Sequence, residues 1–180
     1  MKKFWLIALA ALTIVGCARR PAQPQEEEQP QEEPEQVEEV TIDNPYTDFT
    51  AVTPEGEELS LSQLVGKTDF VLVDFWASWC GPCRAEMPNV KAAYEKYKSR
   101  GFEIVGVSFD NNKAAWQKAV TDLGITWPQM SDLKGWQCAA SAAYNIKAIP
   151  ATILFDPEGR VVCTDLRGKE IESKLSELLK

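Results

Sequence analysis

The residues able to do redox or nucleophilic chemistry in this chain are cysteines, because the 180-residue sequence contains no histidine. That absence excludes Ser–His and Cys–His nucleophile pairs, and any zinc or haem site that depends on a histidine ligand. Cys80 and Cys83 are separated only by Gly81 and Pro82, and this spacing suits either dithiol exchange or half of a zinc site. A closed zinc site needs four ligands. Dithiol exchange is favoured because the remaining cysteines are isolated in the sequence: Cys17, Cys138 and Cys163.

The place of the pair at the start of a predicted helix should give its two sulfurs different properties. Residues 70–76 form an apolar run interrupted only by Asp74, which predicts a buried strand, and helical periodicity follows over 81–99. Unpaired N–H groups and the helix dipole stabilise an anion at a helix N-terminus. We therefore expect Cys80 to be an exposed thiol with a lowered pKa. Cys83 should be the shielded, protonated thiol that resolves a mixed disulfide.

Apolar periodicity predicts a single α/β domain around this pair. The order of the elements indicates a central mixed β-sheet with helices on both faces, preceded by a small N-terminal hairpin extension. The predicted strands cover 70–76, 102–109, 151–155 and 160–165, the helices 81–99, 112–123, 137–143 and 169–179, and the hairpin region 46–66.

The first residues have the organisation of a bacterial export signal. Two lysines precede an apolar run over 4–15, which is too short to span a bilayer, and Gly16 and Cys17 follow it. Residues 14–17 resemble the lipobox of bacterial lipoproteins, in which the cysteine becomes the acylated N-terminus. We therefore predict a signal peptide over 1–16 and a lipid anchor on Cys17, which would place the mature chain outside the cytoplasm, where disulfides persist.

Residues 17–42 are predicted to be a disordered tether, and residues 43–180 the folded domain. The segment 18–42 holds eight glutamates among Pro and Gln residues and has too few apolar side chains to form a core. Extended as polyproline II, it could reach about 75 Å. The whole chain carries a net charge of −8 with no basic cluster, which argues against binding nucleic acid through its phosphates.

The sequence around the cysteine pair resembles a known family. Residues 71–84, VLVDFWASWCGPCR, closely resemble the active-site strand and helix start of thioredoxins. Residues 43–180 are similar to the TlpA/ResA branch of extracytoplasmic, membrane-tethered thioredoxin-like proteins. The segments 46–66 and 110–136 match the N-terminal hairpin and the insertion of that branch. The resemblance implies a thioredoxin-like fold and thiol–disulfide oxidoreductase activity.

The same resemblance implies roles for four residues outside the cysteine motif. Ile149-Pro150 matches the family's cis-proline, whose loop faces the dithiol and pairs with the substrate backbone. Asp74 matches the buried carboxylate of thioredoxins, which accepts a proton from the resolving thiol, here Cys83. Burial alone predicts a raised pKa for Asp74, whether its role is catalytic or only structural. Glu86 matches an active-site glutamate of the ResA type, or else is an ordinary solvated helix residue.

The function implied by the resemblance is reduction of disulfides in secreted client proteins. Trp79, Gly81 and Pro82 would contact the client beside the reactive sulfurs. A membrane thiol reductase of the DsbD type would be the electron donor. No nucleotide, metal or flavin cofactor is implied.

Three other functions stay open as alternatives. The first is a reductase dedicated to cytochrome c maturation, although Ala151 stands where such proteins often have an acid. The second is a peroxiredoxin-like peroxidase. Peroxiredoxins have a required Pro and Thr at the positions of Val73 and Ala77, and their replacement argues against this alternative. The third is a redox-inert binding module. Cys138 and Cys163 could pair as a further disulfide or remain two buried thiols acting as small hydrophobic residues.

Overall fold

The computed structural model describes residues 46–180. The predicted signal peptide over 1–16, the lipidated Cys17 and the tether over 17–42 lie outside the described residues. No helix within 46–180 has the length and apolar character needed to cross a membrane. The strands are β1 Thr50–Val52, β2 Glu58–Ser60, β3 Phe70–Trp76, β4 Phe102–Ser108, β5 Gln129–Met130, β6 Ala151–Phe155 and β7 Val161–Thr164. The α-helices are α1 Gly81–Tyr97, α2 Lys113–Leu123, α3 Ala139–Ala143 and α4 Lys169–Leu178.

The main sheet has five strands in the order β5-β4-β3-β6-β7. β3 runs parallel to β4 and antiparallel to β6, so the sheet is mixed, as predicted. Strand β3 lies at its centre, and six of its seven residues are buried, so both of its faces are covered. This burial is the physical reason that its sequence is apolar at successive positions rather than alternating. The α/β fold with a central mixed sheet is confirmed.

Helix α1 presents one apolar stripe to the core. Met87, Val90, Tyr94 and Tyr97 are buried at the spacing that the sequence predicted. Helix α4 buries Ile171 and Leu175. An exposed ion pair, Lys96 to Glu172 at 2.5 Å, joins α1 to α4.

Several boundaries differ from the predicted ones. Helix α1 ends at Tyr97 and continues as a 3-10 turn over Lys98–Arg100, which Gly101 ends in a left-handed conformation. The predicted helix over 137–143 divides into a 3-10 turn over Gly135–Gln137 and the short α3, because Cys138 adopts an extended conformation between them. Strand β5 was not expected from the sequence, because its two residues are too few to show a period.

The N-terminal hairpin is a separate two-stranded sheet of β1 and β2. Its Val52 forms an isolated antiparallel bridge with Ser131, which attaches the hairpin to the segment after β5. The hairpin prediction over 46–66 is confirmed, with a 3-10 turn over Leu61–Gln63 completing it.

Candidate active site

Cys80 and Cys83 form a disulfide at the N-terminus of α1, with their Cα atoms 5.3 Å apart. Cys80 is the N-cap residue, and its Sγ accepts the backbone N–H of Cys83 at 3.2 Å. The space beside Gly81, in the first turn of α1, is open, because a Cβ added at this residue would meet nothing within 4 Å. An approaching client would therefore meet little steric hindrance at this turn.

The prediction of an exposed Cys80 needs correction for this oxidised form. Cys80 is 5% exposed and Cys83 is 2% exposed, so both are largely covered and differ only slightly. A disulfide bond places the two sulfurs against each other, which removes part of the surface that each would expose as a thiol. Gly81 and Pro82, between them, are both exposed.

A buried carboxylate fixes the loop that leads from β3 to Cys80. Asp110, which is 1% exposed, accepts the backbone N–H of Ser78 at 2.9 Å and its hydroxyl at 2.5 Å. The hydroxyl of Ser108 donates to the same carboxylate at 2.7 Å. The loop conformation two residues before Cys80 therefore depends on Asp110. Asp110 was not expected from the sequence, although an acid directly after the predicted strand 102–109 was a usable signal.

An exposed pair of tryptophans lies beside the cysteine motif. Trp79 and Trp136 are 55% and 46% exposed, and their ring centroids are 6.5 Å apart. Trp136 also packs edge-on against Phe109 at 5.0 Å. The structure thus extends the apolar surface predicted at Trp79 by a second ring from the 3-10 turn before Cys138. Nothing in the sequence pattern had indicated Trp136.

The Ile149–Pro150 peptide bond is cis, as the resemblance implied. Phe75 pairs with Ala151 across β3 and β6, so Pro150 lies at the end of the sheet from which the loop to Cys80 leaves. The carbonyl of Pro150 accepts a hydrogen bond from the guanidinium of Arg167. Beside it lies an open cleft of about 420 Å³, lined in part by Tyr144, Lys147, Pro150, Thr152 and Arg167.

Asp74 is buried in β3, between Gly106 on β4 and Thr152 on β6. Its pKa is raised to about 7, chiefly because burial removes water from the carboxylate, and secondarily by the negative charge of Glu86. The positive charge of Arg167 opposes that rise. Within residues 46–180, no group donates a hydrogen bond to the Asp74 carboxylate. The predicted rise in the pKa of Asp74 is confirmed, and its catalytic role stays a prediction.

Glu86 is half-buried on α1 and is tied to the segment before α4. Its carboxylate accepts the backbone N–H of Gly168 and the side-chain amide of Asn89, the latter at 3.3 Å. The alternative of an ordinary solvated helix glutamate does not fit this placement. Glu86 lies close enough to influence Asp74 electrostatically, and whether it takes part in the reaction stays a prediction.

Cys138 and Cys163 are both free thiols, so the possible disulfide between them is absent from this structure. The Sγ of Cys138 instead accepts the backbone N–H of Ser141 at 3.3 Å, as the N-cap of α3. Burial raises the pKa of both thiols. Neither thiol is therefore activated as a nucleophile. Within residues 46–180, no cluster of three or more potential ligands is placed to hold a metal ion.

Comparisons with known proteins agree with the geometry of the site. The Redoxin family profile matches residues 41–179. The thiol-disulfide oxidoreductase ResA of Bacillus thuringiensis (strain Al Hakam) is 32% identical over 143 residues, which cover 79% of this chain and 79% of that protein. ResA of Bacillus subtilis (strain 168) is 34% identical over 114 residues, which cover 63% of this chain and 61% of that protein.

Solved structures show the same similarity. The thioredoxin domain of a thiol-disulfide oxidoreductase from Bacteroides vulgatus superposes with a TM-score of 0.70 at 32% identity, over 76% of this chain and 96% of that one. A thiol:disulfide interchange protein from a Bacteroides species gives a TM-score of 0.67 at 32% identity, over 76% of this chain and 88% of that one. The chain therefore belongs to the Redoxin family and is a thiol-disulfide oxidoreductase of the ResA type with a thioredoxin-like fold.

Proposed function

We propose that this protein reduces disulfide bonds in extracytoplasmic client proteins while lipid on Cys17 holds it to a bacterial membrane. The observation that carries the proposal is the Cys80–Cys83 pair, which closes a disulfide at the N-terminus of α1. A helix N-terminus stabilises the thiolate of its N-cap cysteine, and this favours a pair that cycles between dithiol and disulfide.

The first step is attack on the client. The Cys80 thiolate bonds to one sulfur of the client disulfide, whose S–S bond breaks. The second client sulfur leaves as a thiolate and takes up a proton from water. The exposed rings of Trp79 and Trp136 offer an apolar contact for the client at this stage. The loop at Ile149 and Pro150 would pair with its backbone.

The second step releases the reduced client. The Cys83 thiol gives its proton to the Asp74 carboxylate and attacks the Sγ of Cys80. The mixed disulfide breaks, the client leaves as a thiolate, and two electrons have passed from the chain to the client. A carboxyl whose pKa is about 7 suits this exchange, because at neutral pH it can both accept and return a proton.

Each turnover leaves the pair oxidised, so a donor must return two electrons and two protons. A membrane thiol reductase of the DsbD type fits a chain held at the membrane surface. Gly81 and Pro82 support the reducing direction, because the motif resembles that of thioredoxin. The reduction potential of thioredoxin is about −270 mV, far below that of the oxidant DsbA. The export signal predicted over 1–16 and the acidic tether predicted over 17–42 support the proposal of an extracytoplasmic, membrane-attached location.

Trapping of mixed disulfides tests the proposal. The full-length chain with Cys83→Ser, expressed in a bacterium that exports it, should accumulate client proteins bonded to Cys80, which mass spectrometry of membrane fractions would identify. A matched variant with both Cys80→Ser and Cys83→Ser should trap none. A Cys83→Ser chain that traps nothing, or traps only through Cys138, would contradict the proposed function.

A further inference from the structure

Three consecutive residues between β7 and α4 each contact a different part of the active site. The carbonyl of Leu166 accepts the hydroxyl of Thr152 at 3.1 Å. The guanidinium of Arg167 donates to the carbonyl of Pro150, and the backbone N–H of Gly168 donates to the carboxylate of Glu86. This bridge segment, Leu166–Gly168, therefore joins β6, the cis-proline loop and α1.

Arg167 is the charged side chain of the bridge segment, and its contacts orient it toward the site. Its backbone N–H donates to the carboxylate of Glu170 at 3.1 Å. Its guanidinium lies 3.6 Å from the carboxylate of Asp165, which is an ion pair too long for a hydrogen bond, whereas it does donate a hydrogen bond to the carbonyl of Pro150. The carbonyl that it holds belongs to the residue directly after the cis bond.

We propose that Arg167 is a positioning residue for the reaction, because its guanidinium fixes the Pro150 carbonyl and so holds the client-binding loop in place at the dithiol. This inference rests on the proposed function and names a residue on which binding of a peptide client depends. The hydrogen bond is charge-assisted, and such bonds are shorter and stronger than those between neutral groups. Loss of Arg167 should therefore weaken binding of a peptide backbone more than attack on a small disulfide.

The charge of Arg167 has a second effect on the same site. Two charged groups act on Asp74: Glu86 from α1 and Arg167 from the bridge segment. Its neighbours on β4 and β6, Gly106 and Thr152, are uncharged. Arg167 lowers the pKa of Asp74 against burial and Glu86, so removing its charge should raise that pKa further. The step in which Cys83 gives up its proton should then require a higher pH.

Two substitutions separate the position of the side chain from its charge. Arg167→Gln keeps an N–H donor and removes the charge, whereas Arg167→Lys keeps the charge and loses the planar fork. Arg160→Gln is the matched control, because Arg160 lies at the turn between β6 and β7, away from the bridge segment, and its ion-pair partners within residues 46–180 are Asp156 and Glu158.

Two reactions of the reduced full-length chain give the readouts. Single-turnover reduction of a disulfide-bonded peptide, followed over a range of peptide concentrations, gives the half-saturating concentration and the limiting rate, which serve here as KM and kcat. Dithiobis(nitrobenzoate) has no peptide backbone. It releases one thionitrobenzoate when Cys80 attacks, and a second when Cys83 attacks Cys80 and displaces the thionitrobenzoate still bonded to it. The pH dependence of the second release reports the proton transfer to Asp74.

We expect Arg167→Gln to raise KM for the peptide roughly 10-fold, to leave the first thionitrobenzoate release within about twofold, and to move the pH midpoint of the second release upward. Arg167→Lys should keep the wild-type midpoint while raising KM, and Arg160→Gln should match the wild type. The inference is overturned if both Arg167 variants behave like Arg160→Gln, or if both reactions slow equally, as a general loss of structure would cause. A wild-type chain that fails to reduce the peptide would instead refute the proposed function.

Discussion

Asp74 lies directly opposite Thr152 across the antiparallel ladder of β3 and β6, and the two side chains share one face of the sheet. The Thr152 hydroxyl donates its hydrogen to the carbonyl of Leu166 at 3.1 Å rather than to its neighbour. The Asp74 carboxylate is therefore buried and accepts no hydrogen bond from residues 46–180. Burial of this kind penalises the charged form, which explains the direction of its pKa shift.

Asp74→Asn should stabilise the oxidised protein at alkaline pH. The pKa of Asp74 is about 7 in the folded state and 3.8 in the reference state, so ionisation opposes folding increasingly as the pH rises between these values. At 1.36 kcal/mol per unit, the cost approaches about 4 kcal/mol above pH 7 and vanishes below pH 3.8. Urea unfolding of wild type and variant from pH 4 to pH 9 would measure the growing difference.

The control for this prediction is Asp122→Asn, since Asp122 is an exposed partner of Lys118 on α2. Its difference from wild type should change little over the same pH range. A constant offset between Asp74→Asn and wild type from acid to alkaline pH would mean that the pKa of Asp74 is not raised. Asp74→Asn should also slow the release of client from the mixed disulfide. An unchanged rate of release would remove Asp74 from the mechanism.

Asp110→Ala should loosen the loop that carries Cys80. The substitution removes the acceptor of three hydrogen bonds: those from the backbone N–H and the hydroxyl of Ser78, which are part-buried, and that from the hydroxyl of Ser108, which is buried. We expect a loss of about 3 kcal/mol in the free energy of unfolding, together with slower attack by Cys80. Ser78→Ala, which removes only one of these bonds, should cost less. Equal stability of Asp110→Ala and the wild type would show that these hydrogen bonds do not hold the loop.

Trp136→Ala should impair reduction of protein clients selectively. The ring is half-exposed, packs on Phe109 and lies next to Trp79, so it adds apolar contact area beside the cysteine motif. We expect KM for a disulfide-bonded protein to rise about 5-fold, and the rate with dithiobis(nitrobenzoate) to stay unchanged, as for a contact residue outside the chemistry. An equal loss with both substrates would instead indicate damage to the fold.

Cys138 and Cys163 should be recovered as thiols from the oxidised, full-length protein. Cys138 is 3% exposed and Cys163 is partly exposed, so under native conditions Cys163 should react with iodoacetamide first. Peptide mapping after alkylation in denaturant should find both residues labelled and the Cys80–Cys83 peptide unlabelled. A peptide that contains Cys138 bonded to Cys163 would refute the free-thiol state.

The fold was predictable where a single physical signal was strong. The buried strand Phe70–Trp76 and the amphipathic helix Gly81–Tyr97 follow from apolar patterning, and Cys80 at the N-cap follows from their junction. The cis bond before Pro150 could be predicted only through the family resemblance, because an X–Pro bond by itself is cis in about 5–6% of cases.

The contacts between distant parts of the chain could not be predicted. Arg167 donates a hydrogen bond to the carbonyl of Pro150, 17 residues away in the sequence. Glu86 accepts the backbone N–H of Gly168, 82 residues away. Such contacts depend on how the elements pack, and local periodicity contains no information about them. The free state of Cys138 and Cys163 was undetermined for the same reason, since pairing needs their relative positions.

The most direct test of the mechanism is the pH dependence of Cys80 alkylation in the reduced protein. Iodoacetamide labelling of the Cys83→Ser chain, followed from pH 4 to pH 10, should give a midpoint clearly below the value of about 8.5 for a free cysteine, because the N-terminus of α1 stabilises the thiolate. A midpoint at or above that value would contradict the assignment of Cys80 as the attacking sulfur.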